Sequence, residues 1–120
     1  MPFESDLELR HVPGSELWRV IKPLQYRAAT GRRVIVPQGY RTDLASVPRL
    51  AWRIVPRDHV QARRPAVVHD FIYTNLTHRF TKREADAIFH AALLEEGMSK
   101  PLAWLMHAAV RIGGRGNWSA

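Results

Sequence analysis

The chain has 120 residues, 46% of them apolar, with 18 Lys and Arg against 11 Asp and Glu and no cysteine. This length and composition fit one domain with its own core, and they exclude disulfides, thiolate metal sites and a cysteine nucleophile. The formal net charge of +7 favours phosphate-rich or acidic partners. The arginines are scattered and no aromatic nucleic-acid motif accompanies them, so a specific nucleic-acid ligand is not expected.

Targeting signals are not recognisable in the sequence. The N-terminal segment MPFESDLELR lacks the apolar stretch of a signal peptide, and no apolar run approaches the ~20 residues of a membrane span. We therefore expect a protein without a transmembrane segment that is made and folded in a cytoplasm.

Strand and turn signals fill the first forty residues. The short segments 17–21 and 33–36 are rich in β-forming side chains, and turns are expected at 13–14 and 30–31. This pattern predicts a small antiparallel sheet over about residues 5–40.

Helical spacing replaces the strand pattern in the second half. A short helix is predicted at 47–55, and Pro65 is expected at the first position of a longer helix that ends near Asn75. The segment 81–84 fits a capping box for a third helix, which Gly97 ends.

The last helix is predicted to begin after Ser99 and to end at the glycines 113–114. The helical half then covers about residues 47–112, and a basic tail follows at 113–120. The sequence as a whole predicts a single α+β domain over residues 1–120, with a small antiparallel sheet followed by three main helices.

Three polar residues, His69, Asp70 and Tyr73, interrupt an otherwise apolar stretch. Residues four apart share a helix face, so His69 and Tyr73 project together while Asp70 points about 100° away. The next helix carries Asp86, and the short loop between the two helices favours an antiparallel pair. We expect Asp86 to orient His69 as a general base and to accept a hydrogen bond from Tyr73.

Asp43 is the second acidic residue of interest, within the turn-rich segment 37–49. Two interpretations are open for it. In the first, Thr42 or Asp43 caps a short helix and Asp43 pairs with Arg41 or Arg49. In the second, Asp43 joins Asp70 around a hard cation that prefers oxygen ligands.

Three segments in order resemble a family of small phage and prophage proteins of unknown function. They are VPQGYRTDLASVPR, AVVHDFIYTN and KREADAIFHAALLEEGM. The family pattern is V-P-x-G-[FY]-x-T-D-x-A-S-x-P-R, then H-D-x-[IL]-Y, then an A-D-x-x-F helix, and the resemblance covers about residues 15–110. It implies a phage-encoded protein with other phage proteins as partners, made in the host cytoplasm and incorporated into the virion. It implies no reaction.

The H-D-x-x-Y helix with an aspartate on the next helix is also similar to the catalytic core of secreted phospholipases of the histidine–aspartate type. That similarity implies His69 as the base, Asp70 as a calcium ligand, Asp86 as the orienting carboxylate and Tyr73 as its hydrogen-bond partner. The implied substrate is a phospholipid or another ester. Those enzymes also have disulfides beside the histidine and a glycine-rich calcium loop, whereas the candidate loop here has one glycine, Gly39.

Two further interpretations stay open. A transition metal held by His69 and Asp70 would resemble the centres of metal-dependent phosphohydrolases, with Asp86 and either His59 or His90 as additional ligands. Alternatively, the polar network only ties two helices together, in a virion or tail-assembly component that acts through its surface.

Overall fold

The part of the chain that the computed structural model describes comprises residues 3, 7–15, 17–42, 53 and 60–113. The chain divides into two compact units, Met1–Asp43 and Leu44–Ala120. Strands form the first unit and helices the second, which confirms the predicted α+β class. The short helix predicted at 47–55 and the tail beyond Gly113 lie outside the described residues, Arg53 excepted.

Five short antiparallel strands form two small sheets among the described residues of the first unit. In one sheet, β1 (Leu9–His11) pairs with β2 (Trp18–Val20), which also pairs with β5 (Arg41–Thr42). The other is a hairpin of β3 (Leu24–Arg27) and β4 (Arg33–Val36). The first four strands lie within the range predicted for the sheet, whereas β5 lies in the segment predicted to be rich in turns, and the division between two sheets was not predicted.

The hairpin buries one of its two faces. Along β4, Val34 and Val36 are buried while Ile35 between them is 49% exposed. Leu24 lies opposite Val36, and Tyr26 lies opposite Val34. Because successive side chains of a strand point to opposite faces, these four buried side chains share one face.

The described part of the second unit contains three helices with defined bounds: α1 (Val60–Asn75), α2 (Lys82–Glu95) and α3 (Lys100–Gly113). α1 packs against α2, and α2 packs against α3. None of the helices within the described ranges has the length and apolar character needed to cross a bilayer.

The first two helices run antiparallel, as their side-chain contacts show. Arg64, early in α1, binds Glu96 just after the end of α2. Tyr73, late in α1, binds Asp86 near the start of α2. This arrangement confirms the orientation predicted from the short loop between them.

α3 runs back along α2 in the same way. Lys82, the first residue of α2, reaches the carbonyl groups of Val110 and Arg111 at the end of α3. His90, further along α2, stacks on His107 with ring centroids 4.7 Å apart. The start of α2 therefore lies beside the end of α3.

Pro65 lies inside α1, so its predicted place at the first helical position is wrong. The helix begins five residues earlier, at Val60. A proline inside a helix has no N–H for the carbonyl group four residues before it, which costs one hydrogen bond. The turn before the proline includes the fully buried Ala62, and such packing contributes more to helix stability than local propensity does.

Both ends of α2 agree with the sequence prediction. The Thr81 hydroxyl accepts from the N–H of Glu84 at 3.1 Å, and the Glu84 carboxylate accepts from the N–H of Thr81 at 2.8 Å, which forms the capping box. Gly97 follows the helix with φ of +93°. A Cβ at this position would lie 3.3 Å from the Gln61 side chain on α1. Glycine therefore suits both the positive φ and the limited space beside Gln61.

Candidate functional site

The middle of α1 is buried on every side. Residues 65–70 are six consecutive buried positions, so His69 and Asp70 are both buried although they point in different directions. Tyr73, one turn after His69, is fully buried as well. Because an unpaired buried polar group costs about 1–3 kcal/mol, these side chains require partners within the fold.

The carboxylate of Asp86, on α2, is the shared partner of two of them. Nε2 of His69 lies 2.8 Å from Oδ1 of Asp86, and the Tyr73 hydroxyl donates to the same oxygen at 2.6 Å. Asp86 is itself 1% exposed. The structure therefore brings together the three residues predicted as the catalytic group, whose catalytic roles stay predictions.

Lys82 binds the other oxygen of the same carboxylate. Its Nζ donates to Oδ2 of Asp86 at 2.7 Å and to the carbonyl groups of Val110 and Arg111 at 3.3 and 3.2 Å. Lys82 is not among the residues predicted from the sequence for this site. The spacing does contain a signal for it, because a lysine four residues before an aspartate on a helix can pair with that aspartate.

These contacts fix the protonation states of Asp86 and Tyr73. Burial alone would raise the pKa of Asp86, but hydrogen bonds from His69, Lys82 and Tyr73 outweigh it and lower that pKa. Burial, and then the bond to Asp86, raise the pKa of Tyr73. The ionised carboxylate only accepts hydrogen bonds, so Tyr73 and Nε2 of His69 both donate to it.

His69 is held as a neutral imidazole in one tautomer. Burial lowers its pKa below the usual 6.5, although the contact with Asp86 acts in the opposite direction. With the proton on Nε2, the basic nitrogen of the ring is Nδ1. The rings of Tyr73 and Phe89 pack against the imidazole, with centroids 4.2 and 4.9 Å away, and restrict its rotation. An oriented neutral imidazole of this kind is what general base catalysis requires.

The residues predicted as metal ligands are only partly described. Asp70 is 4% exposed, and its carbonyl oxygen accepts from the Thr74 hydroxyl at 3.0 Å. Asp43 lies outside the described residues. Among the described side chains, no group of three or more His, Asp or Glu is placed to hold a metal ion. Calcium binding therefore stays a prediction.

His90, named as a ligand in the transition-metal interpretation, makes a different contact. Its ring is nearly parallel to that of His107, with 13° between the planes. Burial and the neighbouring His90 lower the pKa of His107. No local signal predicts this pair, because the two histidines are on different helices. His59, the other ligand considered, lies outside the described residues.

Fold and site together define a small α+β protein in which a buried His–Asp–Tyr centre joins two antiparallel helices. The chain belongs to the family described as Protein of unknown function (DUF1353), which matches residues 18–110. That range includes the whole centre from His69 to Asp86. Neither the curated proteins nor the solved structures include a match to the chain. The predicted membership in a family of unknown function is confirmed, and the phage origin stays a prediction.

Proposed function

We propose that this protein is an ester hydrolase with phospholipids as its substrate class, and that His69 is its general base. The observation that carries this proposal is the convergence of His69 Nε2 and the Tyr73 hydroxyl on one oxygen of Asp86. The same arrangement, on an H-D-x-x-Y helix and its antiparallel neighbour, carries the resemblance to secreted phospholipases.

The proposed reaction uses the nitrogen of His69 that does not face Asp86. Nδ1 takes a proton from a water molecule while the water oxygen attacks the carbonyl carbon of the ester. Asp86 stabilises the imidazolium that forms, and Tyr73 holds the carboxylate in place. When the ester C–O bond breaks, His69 returns the proton to the leaving alkoxide, which gives a carboxylic acid and an alcohol.

The burial of His69 and the expected role of Asp70 shape this proposal. His69 is fully buried, so the reaction requires a movement that admits water and substrate to Nδ1. Asp70 is the proposed ligand of a calcium ion, which would supply charge stabilisation at the ester carbonyl. No step above passes through that ion. Calorimetric titration with calcium, with Asp70→Asn as the comparison, tests its binding separately.

The experiment is hydrolysis of a fluorogenic phospholipid and of a short-chain ester, each with and without calcium. We expect His69→Gln to abolish hydrolysis while the variant stays folded by circular dichroism. His78→Gln is the matched control, because His78 is exposed in the loop between α1 and α2, and it should keep full activity. Tyr73→Phe should lower kcat with the fold retained.

Either of two results would overturn the hydrolase proposal. One is full activity in His69→Gln, which would mean that another group acts as the base. The other is a folded wild-type protein that hydrolyses neither substrate in the presence of calcium.

We propose as a second candidate a non-catalytic virion or tail-assembly component. Two observations favour it: the complete burial of His69, and the exposure of Trp104 (60%), Leu105 (43%) and Ile112 (79%) on α3. Large exposed apolar side chains suit contact with another protein of the particle. The polar centre would then serve to pair the helices.

Incorporation into assembled phage particles, measured as the amount of protein that sediments with them, tests this second candidate. Trp104→Ser should reduce that amount. Ile35→Ser removes a comparably exposed apolar side chain from the strand unit and should have no effect. Equal incorporation of both variants and wild type would contradict the candidate.

A further inference from the structure

We propose that Lys82 is a positioning residue of this site, and that it makes the C-terminal end of α3 part of the site. The catalytic consequence of this inference rests on the hydrolase proposed above, whereas the positioning itself does not. The inference starts from the three contacts of one ammonium group.

The position of the Lys82 ammonium is set by its three acceptors. Lysine carries three N–H donors, and Nζ has three oxygen partners, on Asp86, Val110 and Arg111. The two carbonyl groups belong to the last turn of α3, where carbonyl groups have no partner within the helix. A cation is also favoured at that end of a helix by the helix dipole. The end of α3 therefore fixes Nζ, and the third N–H points at Asp86.

This fixed ammonium holds the carboxylate of Asp86 in one rotational orientation, with one oxygen toward Lys82 and the other toward α1. With Oδ2 bound to Lys82 at 2.7 Å, Oδ1 is the oxygen that meets His69 and Tyr73. The terminal torsion of an aspartate is otherwise broad, so a carboxylate released from Lys82 can rotate away from the imidazole. Lys82 also lies 5.8 Å from the centre of the Tyr73 ring. Its ammonium thus lies near one of the two donors, Tyr73, as well as on the carboxylate that both donors share.

The test must separate this role from simple stabilisation of the start of α2. Lys82→Met removes the ammonium and keeps most of the unbranched apolar side chain, and Lys82→Arg keeps a cationic donor. Thr81→Ala is the matched control, because it removes the capping bond of the adjacent residue without touching Asp86. Lys82→Gln replaces Lys82→Met if the latter does not fold.

The first readout is the solvent exchange of the His69 Nε2 proton, followed by NMR. We expect this proton to exchange about tenfold faster in Lys82→Met than in Thr81→Ala, as loosening of one hydrogen bond to a charged group implies. Lys82→Arg should restore slow exchange. Equal exchange rates in Lys82→Met and Thr81→Ala would overturn the inference, because the lysine would then act only on helix stability.

The second readout is the rate of ester hydrolysis. We expect Lys82→Met to lower kcat with little change in KM, and Lys82→Arg to recover it. If the wild type is inactive but proton exchange depends on Lys82, the hydrolase proposal fails and the positioning stands. If the wild type is active and Lys82→Met keeps its full kcat, the catalytic consequence of the positioning fails and the hydrolase proposal stands.

Discussion

The negative charge of Asp86 should be the most sensitive single feature of the helical unit. Asp86→Asn keeps the shape of the side chain but leaves one oxygen to accept bonds where the carboxylate has two. If that oxygen serves His69 and Tyr73, the new amide N–H₂ faces the ammonium of Lys82, and the reverse orientation sets it against Nε2–H of His69 and the Tyr73 hydroxyl. The variant therefore either leaves the ammonium facing N–H donors or forces His69 into the other tautomer and the Tyr73 hydroxyl to accept.

The magnitude follows from the burial of this group. Removing one partner of a buried ion pair costs about 3–5 kcal/mol, because the remaining charge is left without compensation. The Asp86 side chain is 2% exposed and that of Lys82 is 23% exposed, so water screens the pair only in part. We therefore expect Asp86→Asn to lower the free energy of unfolding by about 3 kcal/mol, at the lower end of that range.

Urea unfolding of four proteins measures this: wild type, Asp86→Asn, Lys82→Met and the double variant. The free energy of unfolding lost by the double variant should be about 1–3 kcal/mol smaller than the sum of the two single losses. The reason is that Lys82→Met removes the partly buried cation that Asp86→Asn deprives of its carboxylate. A loss below about 1 kcal/mol in Asp86→Asn, or single losses that add within ~0.5 kcal/mol, would refute the reasoning.

Two further predictions concern acid sensitivity and the contact between α1 and α2. The pKa values of His69 and His107 are lowered on folding, so the unfolded chain binds more protons below about pH 6.5 and stability falls as the pH decreases through that range. Urea unfolding at several pH values gives the slope of the free energy of unfolding against pH. His69→Gln should reduce this slope by up to ~1.4 kcal/mol per pH unit, and an unchanged slope would contradict the lowered pKa of His69. The Arg64 guanidinium donates two hydrogen bonds, of 2.5 and 2.6 Å, to the carboxylate of Glu96. Because Arg64→Gln removes this charged, two-bond contact, it should lower the free energy of unfolding by about 1–3 kcal/mol. Arg83→Gln, at an exposed position of α2, is its control, and equal losses in the two variants would show that the contact contributes nothing specific.

The parts of the site that the sequence predicted depend on local spacing. His69 and Tyr73 are four residues apart, so any helix places them on one face. The short loop after α1 then leaves an antiparallel return as the simple connection, which carries Asp86 to that face. The capping box at Thr81 and Glu84 is local in the same sense, since both residues lie within one turn.

The parts that the sequence did not predict depend on how separate elements meet. Lys82 completes the centre only because the end of α3 comes to lie beside the start of α2, and nothing within one turn encodes that approach. The position of Pro65 was mispredicted for a related reason. The local rule places a proline at a helix start, whereas burial of the preceding turn extended the helix past it.

Charge balance in the centre separates the two proposed functions. The ionised Asp86, the charged Lys82 and the neutral His69 sum to zero, which lowers the cost of burying them. A proton transferred to His69 would leave these three groups with one net positive charge, which burial opposes and which the charges of Asp86 and Asp70 favour. In ester hydrolysis the oxyanion forms in the same step as the imidazolium, so the cluster and the substrate together stay neutral. An assembly component offers no such anion, and in that case His69 stays neutral. We therefore expect a phospholipid analogue with a tetrahedral phosphonate to convert His69 to the imidazolium, detected by the ¹⁵N shifts of its ring. Binding of the analogue without that change would refute the base role.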